Sequence, residues 1–115
     1  MTLNRIISAG ILLFLSSPLL AQTPRQVIST PNAEHTINRY NNIVRIDEES
    51  KPFTGTYIVL NKRKQKMLEH HYVNGLLEGR VIESHIKDYD TVPYVETDAF
   101  YKNGKLNGKY LKYDK

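Results

Sequence analysis

Two stretches of this chain are copies of each other, and no other feature limits its fold as strongly. Tyr72-Val73-Asn74-Gly75-Leu76-Leu77-Glu78-Gly79 and Tyr101-Lys102-Asn103-Gly104-Lys105-Leu106-Asn107-Gly108 both read Y-x-N-G-x-L-x-G, at an offset of 29 residues. A partial third copy, Phe53-Thr54-Gly55, takes the places of Leu77-Glu78-Gly79 and Leu106-Asn107-Gly108. The same texture follows each of these glycines: Thr56-Tyr57-Ile58, Arg80-Val81-Ile82 and Lys109-Tyr110-Leu111. The glycine spacings are 24 and 29, and the extra length of the second unit falls in the polar stretch 88–93. Self-similarity of this kind marks a chain built from one small unit that cannot bury its apolar face alone, so neighbouring units must pair or stack.

The chemistry of the unit is legible. Asn and Gly both tolerate positive φ, so Asn74-Gly75 and Asn103-Gly104 are reversals between strand-like runs. Gly79, Gly108 and, in the partial copy, Gly55 let the backbone turn back or pass close to a neighbour. The runs between these points suit a pleated surface. Residues 55–60 (GTYIVL) are β-branched and aromatic. Further strands are expected at 67–73, 80–87, 94–102 and 109–113, and a first one at 40–47, with Ile43, Val44 and Ile46. Residues 61–66 and 88–93 read as turn and loop, and 48–52, polar and ending in Pro52, as a break. No window after the N-terminal segment has helical spacing. The expectation is an all-β domain over 40–115. Before it, 22–39 reads as a flexible polar arm, with two Pro among Ser, Thr, Asn and Gln.

Y-K-N-G-K-L-N-G-K-Y-L-K-Y at 101–113, Y-V-N-G-L-L-E-G-R-V-I at 72–82 and F-T-G-T-Y at 53–57 resemble MORN repeats in their bacterial variant form, over 52–115. The middle copy departs from that pattern at Val81, where an aromatic is usual, and at Ser84, opposite Tyr113; the first copy lacks its N-G. The resemblance implies β-hairpins laid side by side in an elongated, twisted antiparallel sheet. It also implies a protein-binding or scaffold role; membrane association has been proposed for some members, and many bacterial relatives carry an antitoxin label.

Residues 1–21 read as an address. Arg5 is their only charge, an apolar run of 10 residues extends from Ile6 to Leu15, Ser16-Ser17-Pro18 breaks it, and Leu19-Leu20-Ala21 follows. That is the order of a secretory signal peptide. The run is about half of the roughly 20 residues that a membrane-spanning helix needs. Cleavage after Ala21 and retention as an N-terminal anchor both remain open. Either way the chain is expected to be exported, periplasmic or secreted in a bacterial cell envelope, and nucleic acid is not an expected partner.

The composition removes whole classes of chemistry. With no Cys there is no disulfide, thiolate nucleophile or Cys-ligated metal. His35, His70, His71 and His85 show no H-E-x-x-H spacing, and adjacent His70 and His71 would point to opposite faces of a strand. Only one of them can meet His85 and a carboxylate such as Glu69 or Glu83. Ser29, Ser50 and Ser84 lie in no nucleophile motif, and the paired carboxylates Glu48-Glu49 and Asp88/Asp90 fall in polar loops. No enzyme activity, cofactor or metal is expected.

The structural repeat residues are therefore Gly55, Asn74, Gly75, Gly79, Asn103, Gly104 and Gly108. Tyr57, Tyr72, Tyr101 and Tyr110 recur at repeat positions and have two readings, packing along the sheet or an aromatic binding face. Lys62, Arg63 and Lys64 form a basic turn that reads as a solvated loop or as a weak contact for an anionic membrane. The expected partner is another protein. The alternatives are a membrane-surface module that binds anionic lipid and an inhibitor or immunity-type pairing, with self-association through the end strand 109–113.

Overall fold

The computed structural model describes residues 23–114. The signal-peptide reading of residues 1–21 lies outside them. The described residues contain nine strands and no helix: β1 (Arg25–Ser29), β2 (Ile37–Tyr40), β3 (Ile43–Ile46), β4 (Gly55–Leu60), β5 (Lys66–Val73), β6 (Leu76–Leu77), β7 (Gly79–His85), β8 (Tyr94–Lys102) and β9 (Lys105–Lys112). One seven-stranded sheet has the order β1-β4-β5-β7-β8-β9, with β6 paired to β5; β2 and β3 form a separate two-stranded sheet.

The Asn-Gly dipeptides close the hairpins. Asn74 and Gly75 have φ of 50° and 81°, and Asn103 and Gly104 of 53° and 80°. Two successive positive-φ residues are the geometry of a type I′ turn, whose twist matches that of the flanking strands. Each turn fixes the same register: Tyr72 faces Leu77, and Tyr101 faces Leu106. The correspondence continues across units, where Gly55 faces Tyr72 and Gly79 faces Tyr101. The sequence repeat is thus also a repeat of strand pairing. Connections 61–65 and 86–93 close the opposite ends of the strands, and the longer one belongs to the longer unit.

Two expectations are corrected. The sheet is mixed rather than wholly antiparallel, and 22–39 is not a loose arm over its described length. Residues 25–29 form β1, which runs parallel to β4 from Arg25 against Gly55 to Ser29 against Val59. The reason is local alternation: Val27 and Ser29 are buried while Gln26 and Ile28 face outward. Gly55 admits the strand, because a Cβ there would lie 1.9 Å from the Arg25 carbonyl oxygen. Ile37–Tyr40 then pairs with Ile43–Ile46 around Asn41-Asn42, both at positive φ. The strand expected at 40–47 is the second half of that hairpin.

The crossover that a parallel pair requires carries this β2–β3 hairpin, and the hairpin forms the core. Val44 and Ile46 join Val27, Phe53, Tyr57 and Tyr72 in one buried cluster, with Ile37, Val59, Leu68 and Leu77 packed against it. Phe53 meets Tyr72 edge to face at 5.8 Å. Each fully buried large side chain contributes about 1.5–3 kcal/mol, so the stabilising apolar contacts concentrate at the β1–β5 end of the sheet. Polar ties seal the segment before β2: the Tyr57 hydroxyl donates to the His35 carbonyl at 3.1 Å, and the His35 N–H donates to Ser29 Oγ at 3.0 Å.

Candidate functional site

Consecutive units are joined by one hydrogen-bond pattern that occurs twice. Gly75 N–H donates to the Phe53 carbonyl at 2.7 Å, and Gly104 N–H donates to the Leu77 carbonyl at 2.9 Å. Phe53 and Leu77 stand at the same place in their units, two residues before the glycine. The residue between them and the glycine is used twice as well: Asn74 N–H donates to Thr54 Oγ1 at 2.8 Å, and Asn103 N–H to Glu78 Oε1 at 3.1 Å. Each Asn-Gly turn therefore sits on the pre-glycine segment of the unit before it. A short polar side chain serves in the first case and a longer one in the second, which is why the sequences differ while the bond persists.

In the third unit the corresponding places are Leu106 and Asn107, and among the described residues no turn sits on them. Its apolar positions are bare. Phe53 is 1% and Tyr57 5% exposed in the first unit, and Val81 is 4% exposed in the second; in the third, Leu106 is 51% and Tyr110 48% exposed. β9 is the outer strand of the sheet, with β8 on one side and no described strand on the other. Tyr113 N–H donates to the Glu96 carbonyl at 2.7 Å. By antiparallel alternation the N–H groups of Lys112 and Tyr110 then point away from β8. Lys105, Lys109 and Lys112 are exposed along the same strand, which carries no Asp or Glu.

The tyrosines divided between two readings in the sequence are divided by the structure. Tyr57 and Tyr72 belong to the buried cluster under the β2–β3 hairpin, because alternation along β4 and β5 turns them inward. Tyr101 is half-buried, and Tyr110 is the exposed member. Lys62, Arg63 and Lys64 lie in the exposed 61–65 connection, where Arg63 and Gln65 side chains reach the Thr91 carbonyl. That is the end of the strands opposite the Asn-Gly turns, so this basic turn and Lys105 do not form one continuous surface.

The histidines sit where alternation puts them. His70 points to the core face, with Nδ1 3.1 Å from the Tyr72 hydroxyl and Nε2 2.9 Å from Glu83 Oε2. His71 is on the other face, between Thr56 and Glu69. Burial holds the His70 imidazole below its ordinary range, although Glu83 pulls the other way. Burial also pushes the Tyr72 phenol up to about 12. The Glu83–His70–Tyr72 chain thus ties β7 to β5 on the core face. On the outer face Lys66 and His71 hold the Glu69 carboxyl below its usual value. His35 Nδ1 lies 2.8 Å from Asp47 Oδ2, and His85 stacks edge-on against Tyr94. Among the described residues no group of three His, Asp or Glu side chains could hold a metal ion.

The sequence did not point to a cavity of about 570 Å³ between the β2–β3 hairpin and the two Asn-Gly turns. Arg39, Tyr72, Tyr101 and Lys105 are among its lining residues, and no carboxylate is. Its signal was Asn41-Asn42, a second kind of positive-φ pair that folds the expected 40–47 strand back on the end of the supposed arm. Comparison of the chain with protein-family models, with curated proteins and with solved structures finds no match.

Proposed function

We propose that this chain is an exported, non-catalytic MORN-repeat protein that serves as a protein-binding or scaffold module in a bacterial cell envelope. The observation that carries the reading is the repeated turn-on-unit hydrogen bond, Gly75 to Phe53 and Gly104 to Leu77. It supports side-by-side hairpin units of the kind the sequence resemblance implies, an architecture that offers extended surface rather than an enclosed reaction site. Export rests on the sequence of residues 1–21 alone. A photo-crosslinking residue at Tyr110, in cells producing the full chain, tests the reading. The expected result is a discrete protein adduct in the envelope fraction, with the mature N-terminus near Gln22 or the leader retained at the membrane. A chain confined to the cytoplasm with no adduct overturns it, as does co-sedimentation with anionic vesicles in place of any protein partner.

A further inference from the structure

The first two units specify what fits on the third. In each of them the pre-glycine carbonyl receives the N–H of an Asn-Gly turn, the next side chain receives the Asn N–H, and the apolar side chains on either side of the glycine (Phe53 and Tyr57, Leu77 and Val81) are buried or packed against the core cluster. Leu106 and Asn107 present the same carbonyl and a side-chain amide oxygen, and Leu106 and Tyr110 are half exposed beside them. The outward N–H groups of Tyr110 and Lys112 extend the acceptance of a strand along the same edge.

We infer that the β9 end of the sheet docks a strand–turn–strand segment of another polypeptide, with an Asn-Gly-type turn over Leu106–Asn107 and an acidic first strand against β9. This rests on the reading of the chain as a protein-binding module and names the class of partner. Two observations select it over a second copy of this chain. Both Asn-Gly turns of a second copy are already bonded within that copy, Gly75 to Phe53 and Gly104 to Leu77. Antiparallel pairing of β9 with itself also gathers two sets of Lys105, Lys109 and Lys112 along one seam with no carboxylate between them, and like charges close together across a strand pair are destabilising. An acidic strand has the opposite effect, and the chain holds an example: Arg80, at the repeat position of Lys109, makes a two-pronged ion pair with Asp98 on the next strand, at 2.9 and 2.7 Å.

The chain's own last hairpin supplies the probe. A synthetic peptide of residues 96–113, with Thr97→Cys and Lys112→Cys joined as a disulfide so that the hairpin is held without the sheet, is titrated into the isotope-labelled full chain and followed by NMR. Saturable shifts confined to Leu106–Tyr113 and the adjoining part of β8 are expected. Affinity falls at least about tenfold for Leu106→Lys or Tyr110→Lys in the protein, both half exposed and each checked for an unchanged strand-amide spectrum, and for Asp98→Lys in the peptide; Lys62→Ala leaves it unchanged. The absence of binding at millimolar peptide, or shifts centred elsewhere, overturns the inference. So does a dimer in sedimentation, or β9 outward amides already protected in the free chain, because either shows a different occupant. A chain that gives an envelope adduct but ignores the peptide loses this inference and keeps the proposed function.

Discussion

Gly75 and Gly104 occupy the same turn position with nearly identical backbones, φ 81° and 80°, yet their surroundings differ. A Cβ on Gly75 would lie 2.5 Å from Ile43 Cγ2 and 2.9 Å from both the N and O of Val44, which is main chain of the hairpin that closes the core. The three atoms nearest a Cβ on Gly104 all belong to the Leu76 side chain, the closest being its Cδ2 at 3.1 Å. Gly→Ala at either site forces an L-residue into left-handed backbone, at about 1–2 kcal/mol. It also narrows the unfolded ensemble, a gain of about 0.4–1 kcal/mol that is common to both and cancels in the comparison. Only Gly75→Ala must also displace a strand, and overpacking of that kind costs about 1–3 kcal/mol more. Urea unfolding of the two variants should therefore separate them by about 1–3 kcal/mol, with Gly75→Ala the less stable and the denaturant dependence unchanged. Equal losses, or a larger loss at Gly104, would refute the packing of β3 on the first Asn-Gly turn.

Leu77 and Leu106 hold one repeat position but differ in burial, so Leu77→Lys should cost about 2 kcal/mol or more and Leu106→Lys less than about 0.5, by thermal or urea unfolding. Tyr57→Phe deprives the His35 carbonyl of the closer of its two donors, leaving Ser29 Oγ at 3.4 Å, and should lower stability by about 1 kcal/mol, read from the same curves. Burial depresses the folded-state pKa of His70 below its ordinary 6.5, so the unfolded chain binds the proton more readily. Stability is then complete above about pH 6.5 and falls as pH drops from there through the lower folded value. His70→Gln should flatten that part of the profile, and an unchanged slope would place the titration elsewhere.

The repeat was legible because each of its marks has one physical meaning. Asn-Gly at two positions demanded positive φ twice in succession, and Gly55, Gly79 and Gly108 demanded a backbone that other residues resist; all five glycines lie at positive φ. Adjacent His70 and His71 had to separate to two faces of a strand, and they do. Burial was less legible. Tyr57 and Tyr72 belong to the same pattern as exposed Tyr110, and nothing in the pattern says that a hairpin covers one end of the sheet and not the other. That hairpin's first strand, Ile37–Tyr40, begins inside a stretch that reads as a tether because of Pro24, Pro31 and the surrounding polar residues, and in the same stretch Val27 and Ser29 supply only two inward positions to β1. A short edge strand held by parallel pairing across a crossover leaves little trace in local periodicity, because its stability comes from β4 and from residues far along the chain.

The central claim is that the hairpins are repeat units seated on one another through their turns. In a free two-residue turn the glycine N–H has no partner within the hairpin, so Gly75 and Gly104 amides become protected only if each turn rests on the unit before it. Hydrogen exchange of the backbone amides, resolved by NMR, tests this directly. The account predicts slow exchange at Gly75 and Gly104, bonded to Phe53 and Leu77, and fast exchange at the outward amides of Tyr110 and Lys112. Fast exchange at Gly104, in a chain whose strand amides are otherwise protected, would contradict it.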